Sequence, residues 1–238
     1  MRLDKYLADM GAGSRSQVKQ LIKKGAVRIN GKTANDPGAA VTGADTVECN
    51  GAVINYRDHF YFMLNKPAGV ITATEDDRQK TVLDLFPENI RKRLFPVGRL
   101  DKDTVGLLII TDDGQLDHEL MAPSHHVDKR YLLKTDKPMD EDDAAAFNEG
   151  IELKDGTVFR AAKLDIDPQD PHAACITISE GKYHQIKRML LSRGKEVIYL
   201  KRLSVGALEL DENLPEGAYR ELTEDELNIL YKKKSNAL

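Results

Sequence analysis

Asp101 stands in Gly98-Arg99-Leu100-Asp101-Lys102-Asp103-Thr104-Val105-Gly106, directly ahead of the unbroken apolar run Leu107-Leu108-Ile109-Ile110. A carboxylate so placed sits on a turn and is held by a buried strand, as a nucleophile or general base requires. Gly98 and Gly106 permit a backbone geometry and a close approach that side chains would block. Two further segments can supply partners. In Asp128-Lys129-Arg130-Tyr131-Leu132-Leu133, Tyr131 opens a strand and can present a flat ring to a base. At 180–190 a turn runs into a helix whose apolar face is Ile186, Met189 and Leu190, which leaves Lys187 and Arg188 at the core edge. A cation beside a carboxylate in a desolvated pocket keeps that carboxylate ionised at neutral pH. Each residue also has a plainer reading. Asp101 serves equally as a turn residue, with Asp103 as well placed; Tyr131 and Tyr183 serve as core-edge packing, and Lys187 and Arg188 as solvated charges.

The elements that must position these groups follow an α+β pattern. After a polar stretch at 50–58 come strand-like runs at Phe60 to Leu64, Val70 to Thr72, Leu107 to Thr111, Tyr131 to Lys134, Cys175 to Ser179 and Val197 to Leu200, interspersed with helices. One helix is expected to begin at Asp140, with acidic residues in its first turn, and to end near Gly150. The regular βαβ repeat of a nucleotide-binding sheet is missing. Two domains are expected, 1–57 and 58–238.

Composition excludes several classes. The 238 residues are 41% hydrophobic and 31% charged, as in a globular protein, and no apolar run reaches the roughly 20 residues a membrane helix needs. The opening Met1-Arg2-Leu3-Asp4-Lys5-Tyr6 lacks the apolar stretch of a secretory signal, so a cytoplasmic protein without a membrane partner is expected. Cys49 and Cys175 match no metal or redox spacing and read as small hydrophobes. His118, His125 and His126, near Asp112 and Asp113, fit no zinc pattern, and no metal site is expected.

Charge is unevenly distributed. The net charge of −4 hides a first segment, 1–34, with eight basic against two acidic residues, a net of +6, while 209–226 carries −7. In the basic segment Leu3, Tyr6, Leu7 and Met10 predict one short helix, ended by Gly11 and Gly13. A second starts at Ser14 and buries Val18, Leu21 and Ile22 before Gly25. On it Arg15, Lys19 and Lys23 lie at i, i+4 and i+8, where like charges repel by a few tenths of a kcal/mol per pair. A polyanion would remove that cost; an ordinary solvated face is the plain alternative. Asn30-Gly31 between Val27-Arg28-Ile29 and Lys32-Thr33-Ala34 predicts a tight hairpin.

The opening Arg2 to Lys5, Ser14-Arg15 and Val27 to Gly31 resemble an S4 RNA-binding domain over roughly residues 1–50. That resemblance implies binding of structured RNA, with Arg2, Arg15, Lys19, Lys23, Lys24 and Arg28 as contacts. Further on, Gly98-Arg99-Leu100-Asp101-x-x-Thr104-x-Gly106-Leu107-Leu108, Thr111-Asp112-Asp113-Gly114, Met63-Leu64-Asn65-Lys66-Pro67-x-Gly69, Gly181-x-Tyr183-His184-Gln185-Ile186-Lys187-Arg188-Met189 and the closing stretch 214–226 resemble the ribosomal RNA pseudouridine synthases, small-subunit (RsuA-type) branch. The implied fold is a small S4 domain of two helices and short strands, then a larger, mixed, mainly antiparallel β-sheet domain with flanking helices. By the same resemblance Asp101 is the catalytic aspartate, Tyr131 stacks on the target base, and Lys187 pairs with the aspartate at a position where many synthases have arginine. Arg99, Leu100, His184, Gln185 and Arg188 are then substrate-binding. The implied reaction converts a uridine of 16S ribosomal RNA, the uridine 516 site, to pseudouridine without a cofactor. The partner would be 16S rRNA or a small-subunit assembly intermediate, met by a monomer. A large-subunit (23S) synthase and a non-catalytic RNA-binding or assembly factor are the alternatives.

Overall fold

The computed structural model describes Met1–Tyr231. Its contacts divide the chain into two compact units, Met1–Phe60 with Phe86–Leu94, and Tyr61–Leu85 with Phe95 onward. The expected division after residue 57 does not include this return of 86–94 to the first unit. Within that unit the Asn89 side-chain amide donates to the Gly11 carbonyl, and Arg93 Nη1 donates to Asp9 O at 2.6 Å.

In the first unit α1 (Leu3–Asp9) and α2 (Arg15–Lys23) precede β1 (Val27–Ile29), β2 (Lys32–Thr33), β3 (Val47–Cys49) and β4 (Ala52–Ile54), which pair in the order β2-β1-β3-β4. The returning segment adds the short α3 (Glu88–Arg91). Ser14 caps α2 as its sequence demands. Its hydroxyl accepts from Gln17 N and the Gln17 side chain accepts from Ser14 N, so two backbone donors at the helix start are satisfied reciprocally. Asn30 and Gly31 both take positive φ, 51° and 75°, and turn β1 into β2. Leu3, Leu7, Val18, Ile22, Val27 and Val47 close a separate core, which leaves Arg15, Lys19, Lys23, Lys24 and Arg28 exposed.

The larger unit rests on a nine-stranded sheet. Its main path runs β11 (Lys163–Ile166), β12 (Ala173–Ile178), β8 (Lys129–Thr135), β13 (Val197–Val205), β7 (Val105–Thr111), β5 (Tyr61–Lys66), β15 (Tyr219–Glu221). Short β6 (Phe95–Pro96) joins β7, and β14 (Leu208–Glu209) joins β13. The β13–β7 pair is parallel and the other pairs are antiparallel. The short hairpin of β9 (Ile151–Glu152) and β10 (Val158–Phe159) stands apart. Every residue of β7 is buried, which accounts for its unbroken apolar run. The helices of this unit are α4 (Gly114–Met121), α5 (Glu141–Glu149), α6 (Gln185–Ser192) and α7 (Glu224–Tyr231). Helix α5 starts from the expected Asp140 cap, completed by a capping box with Asp143.

One expected strand does not form. Val70 to Thr72 contributes only an isolated bridge, Ile71 to Thr81, and the Thr72 hydroxyl is engaged by Leu100 of the Asp101 loop.

Candidate active site

Three distant segments converge on one pocket, whose lining includes Arg99, Leu100, Asp101, Tyr131, His184, Gln185 and Lys187. Sequence separation is bridged by the sheet. Lys129–Thr135 lies between the strands 173–178 and 197–205, so Tyr131 pairs with Ile176 on one side and Arg202 on the other. The first of these strands leads into the turn and helix that carry His184 and Lys187; the second runs parallel to the strand that follows Asp101.

Both glycines around Asp101 have steric reasons. Gly98 has φ +68°, and a Cβ there would meet Met121 Sδ at 2.3 Å; at Gly106, φ +100°, it would meet the Arg202 carbonyl oxygen at 2.3 Å. Between them the loop is fastened from two sides. Thr72 Oγ1 donates to Leu100 O (2.7 Å) and accepts from Leu100 N (3.1 Å). Lys66, fully buried at the end of β5, donates through Nζ to the carbonyls of Thr104 (2.8 Å), Pro67 (3.1 Å) and Lys102 (3.3 Å). Burial pushes this ammonium down to about 8, against the pull of Asp103 and Asp101. Arg202, also buried, donates from Nε to Leu107 O at 2.7 Å, and its Nη2 has no hydrogen-bond partner among the described residues. Residue spacing does not single out Lys66, Thr72 or Arg202. Only Lys66 leaves a trace in the sequence, a charge closing an apolar strand before Pro67.

Replacing Lys66 with Met should destabilise the protein by about 1–3 kcal/mol by stranding buried carbonyls, and should slow turnover by misplacing Asp101. The sign of its pH dependence follows from titration near 8 when folded against 10.5 when unfolded. Stability of the wild type should rise between these values, so the wild-type advantage over Lys66→Met widens from pH 8 to 10.5. Chemical denaturation across that range measures it, and a constant difference would contradict the assignment.

Lys187 Nζ lies 3.1 Å from Asp101 Oδ2 and 2.6 Å from Asp103 Oδ1, so one ammonium bridges two carboxylates. Burial opposes the Lys187 charge, but its hydrogen bonds to Asp103 and Asp101 win, and its pKa is raised. Partial burial likewise opposes ionisation of Asp103, and the Lys187 contact outweighs it, holding the carboxyl below its ordinary value. His184 Nε2 is 3.4 Å from Asp101 Oδ1. This histidine adopts φ +47°, uncommon for a residue with a Cβ, at the start of α6. Gln185 lines the pocket but its amide is used internally. It donates to Glu180 Oε1 (2.8 Å) and accepts from Lys182 N (3.2 Å), fixing the turn ahead of Lys187.

Tyr131 is buried, and its hydroxyl has no protein hydrogen bond among the described residues. With Leu100, Ile178 and Leu200 it supplies the apolar part of the pocket lining. Arg188 is placed elsewhere. Its Nη2 donates to Asp155 Oδ2 (2.7 Å) and Thr157 Oγ1 (3.1 Å), and its guanidinium sits 5.3 Å over the Phe159 ring. Successive helical residues point about 100° apart. Once Lys187 faces Asp101, Arg188 is directed to the neighbouring hairpin, outside the pocket lining. Arg2, expected among the RNA contacts, is engaged in a two-point contact with buried Asp4, at 3.1 and 3.0 Å.

A carboxylate held by a cation, in a recess that an aromatic ring also lines, suits chemistry on a nucleoside. Residues 60–192 match the family described as RNA pseudouridylate synthase, and residues 1–47 match the S4 domain. The chain belongs to the RNA pseudouridylate synthase family. Among its relatives, the Bacillus subtilis RNA pseudouridine synthase YtzG is 48% identical, covering 97% of this chain and 98% of the relative. The ribosomal small subunit pseudouridine synthase A of Haemophilus influenzae is 38% identical over 98% and 100%. The ribosomal large subunit pseudouridine synthase B of Bacillus subtilis is 39% identical over 96% and 95%. A crystal structure of a pseudouridylate synthase superposes with a TM-score of 0.69 at 38% identity, covering 97% of this chain and 99% of the other.

Proposed function

We propose that this chain converts one uridine of small-subunit (16S) ribosomal RNA, at the site corresponding to uridine 516, to pseudouridine, with Asp101 as the catalytic carboxylate. The observation that carries the reading is the Asp101–Lys187 pair at 3.1 Å inside a pocket walled by Tyr131. The reaction breaks the N1–C1′ bond, turns the base and joins C5 to C1′; no atom is added and no electron is exchanged, so the residues present are chemically sufficient. The Asp101 side chain serves attack at C1′, addition at C6 or removal of the 2′ proton alike. The uridine must leave its stack to reach it. Tyr131 receives the base, a stacking contact of about 1–3 kcal/mol, and its hydroxyl is the candidate to remove the C5 proton in the last step. Arg99, Leu100 and His184 line the entry.

The first unit supplies positioning on RNA through the exposed Arg15, Lys19 and Lys23 of α2, with Lys24 and Arg28 beside them. Neutralising Lys19 and Lys23 should weaken RNA binding and reduce the slope of log affinity against log salt by about 1 for each phosphate no longer neutralised. An unchanged slope in filter-binding titrations would remove α2 from the interface.

A 39% identity to a large-subunit synthase, beside 38% to small-subunit ones, favours 23S rRNA as the second reading. Incubating the purified protein with unmodified 16S and 23S transcripts separately decides between them. Pseudouridine in 16S alone is expected.

A further inference from the structure

Tyr183 is the most exposed large hydrophobic side chain among the described residues, at 75%. Its ring is nevertheless held in place. Its centroid is 3.8 Å from that of the His184 ring, with planes 17° apart. Since His184 Nε2 lies 3.4 Å from Asp101, the order Asp101, His184, Tyr183 forms a column from the carboxylate out to solvent. The outer face of Tyr183 has no aromatic partner among the described residues. Beside the column runs a cleft lined in part by Thr72, Arg99, Leu100, Lys102 and Tyr183. Arg99 forms no ion pair among the described residues, and Lys102 donates to the neutral Gln79 amide at 2.9 Å. Two cations thus stand in the cleft without a carboxylate on them.

We propose that the outer face of Tyr183 is a stacking platform for a nucleotide flanking the target uridine, with Arg99 and Lys102 on the adjoining phosphates. This rests on the function proposed above. A flipped uridine leaves its covalent neighbours at the pocket mouth with one face unstacked. A flat, pre-oriented ring next to two cations replaces that stacking and follows the backbone. Because every base has a π-face, the subsite adds affinity with little sequence preference.

The test uses full-length protein and an unmodified small-subunit rRNA fragment spanning the target, with 2-aminopurine replacing the base on either side. Tyr183→Ala should raise KM about tenfold or more while leaving kcat within about twofold. Tyr183→Phe should behave as wild type. On one flank, 2-aminopurine fluorescence should be quenched by wild type and Tyr183→Phe, and not by Tyr183→Ala. A KM for Tyr183→Ala within twofold of wild type, a loss confined to kcat, or equal quenching by all three proteins overturns the platform. Wild-type turnover separates the two levels. If wild type modifies the fragment and Tyr183→Ala is unaffected, only the platform falls; if wild type forms no pseudouridine in it, the functional reading falls and the platform with it.

Discussion

Asp101→Asn should lower pseudouridine formation by at least about a thousandfold and leave RNA affinity within a few fold. The substitution keeps the shape of the side chain but removes the charge that Lys187 and His184 face. The loop is held by Lys66 and Thr72 through backbone atoms, not through the carboxylate. Its position therefore survives the change, and the loss falls on chemistry, on the scale set by removing an acting acid or base. Single-turnover assays on rRNA with parallel binding titrations separate the two quantities. Turnover near the wild-type rate would remove Asp101 from the reaction, whereas a large loss of affinity would make it a binding residue.

Lys187→Met should cost about a hundredfold or more in turnover, the usual scale for a preorganised electrostatic contact. Without the ammonium, Asp101 and Asp103 lose the cation that bridges them. The pair also has a defined stability window. Lys187, with a raised pKa, stabilises the fold at pH values below its unfolded pKa, and this is lost as pH rises through the folded value. Asp103, with a lowered pKa, stabilises above its unfolded pKa, and this is lost as pH falls through the folded value. Lys187→Met should therefore flatten the stability profile at both ends while leaving the middle of the range lower. NMR titration should find the Asp103 carboxyl moved upward in the variant. Lys187→Arg keeps the charge and should recover at least part of the activity, since a guanidinium can also donate to two carboxylates although its longer planar fork places the donors differently. Full activity in Lys187→Met would contradict the bridging role.

What can be read from sequence follows the range over which each signal acts. The Ser14 and Asp140 caps, the Asn30-Gly31 turn and the buried strand, read at 107–111 and found at 105–111, are set within a few residues, and all form. The meeting of Asp101, Tyr131 and Lys187 depends on strand order in the sheet; residue spacing carries no trace of it, and only resemblance to a family joins them. Lys66, Thr72 and Arg202 act on backbone carbonyls and amides 28 to 95 residues away. A carbonyl has no side-chain identity, so no pattern in the sequence announces its partner. Val70 to Thr72 departs from expectation for the opposite reason, because a β-branched run looks like a strand even when its hydroxyl is engaged with a loop. Arg188 lies outside the pocket lining for the same long-range reason. Its guanidinium is engaged by Asp155, Thr157 and the Phe159 ring, contacts 29 to 33 residues away that its own helix does not announce.

Mapping pseudouridines in total ribosomal RNA from cells lacking the protein, complemented with wild type or Asp101→Asn, tests most directly whether Asp101 makes pseudouridine at one place in small-subunit ribosomal RNA. One position of 16S rRNA should lose its modification, regain it with wild type and remain unmodified with Asp101→Asn. An unchanged 16S map in the deletion strain, or restoration by Asp101→Asn, would contradict it.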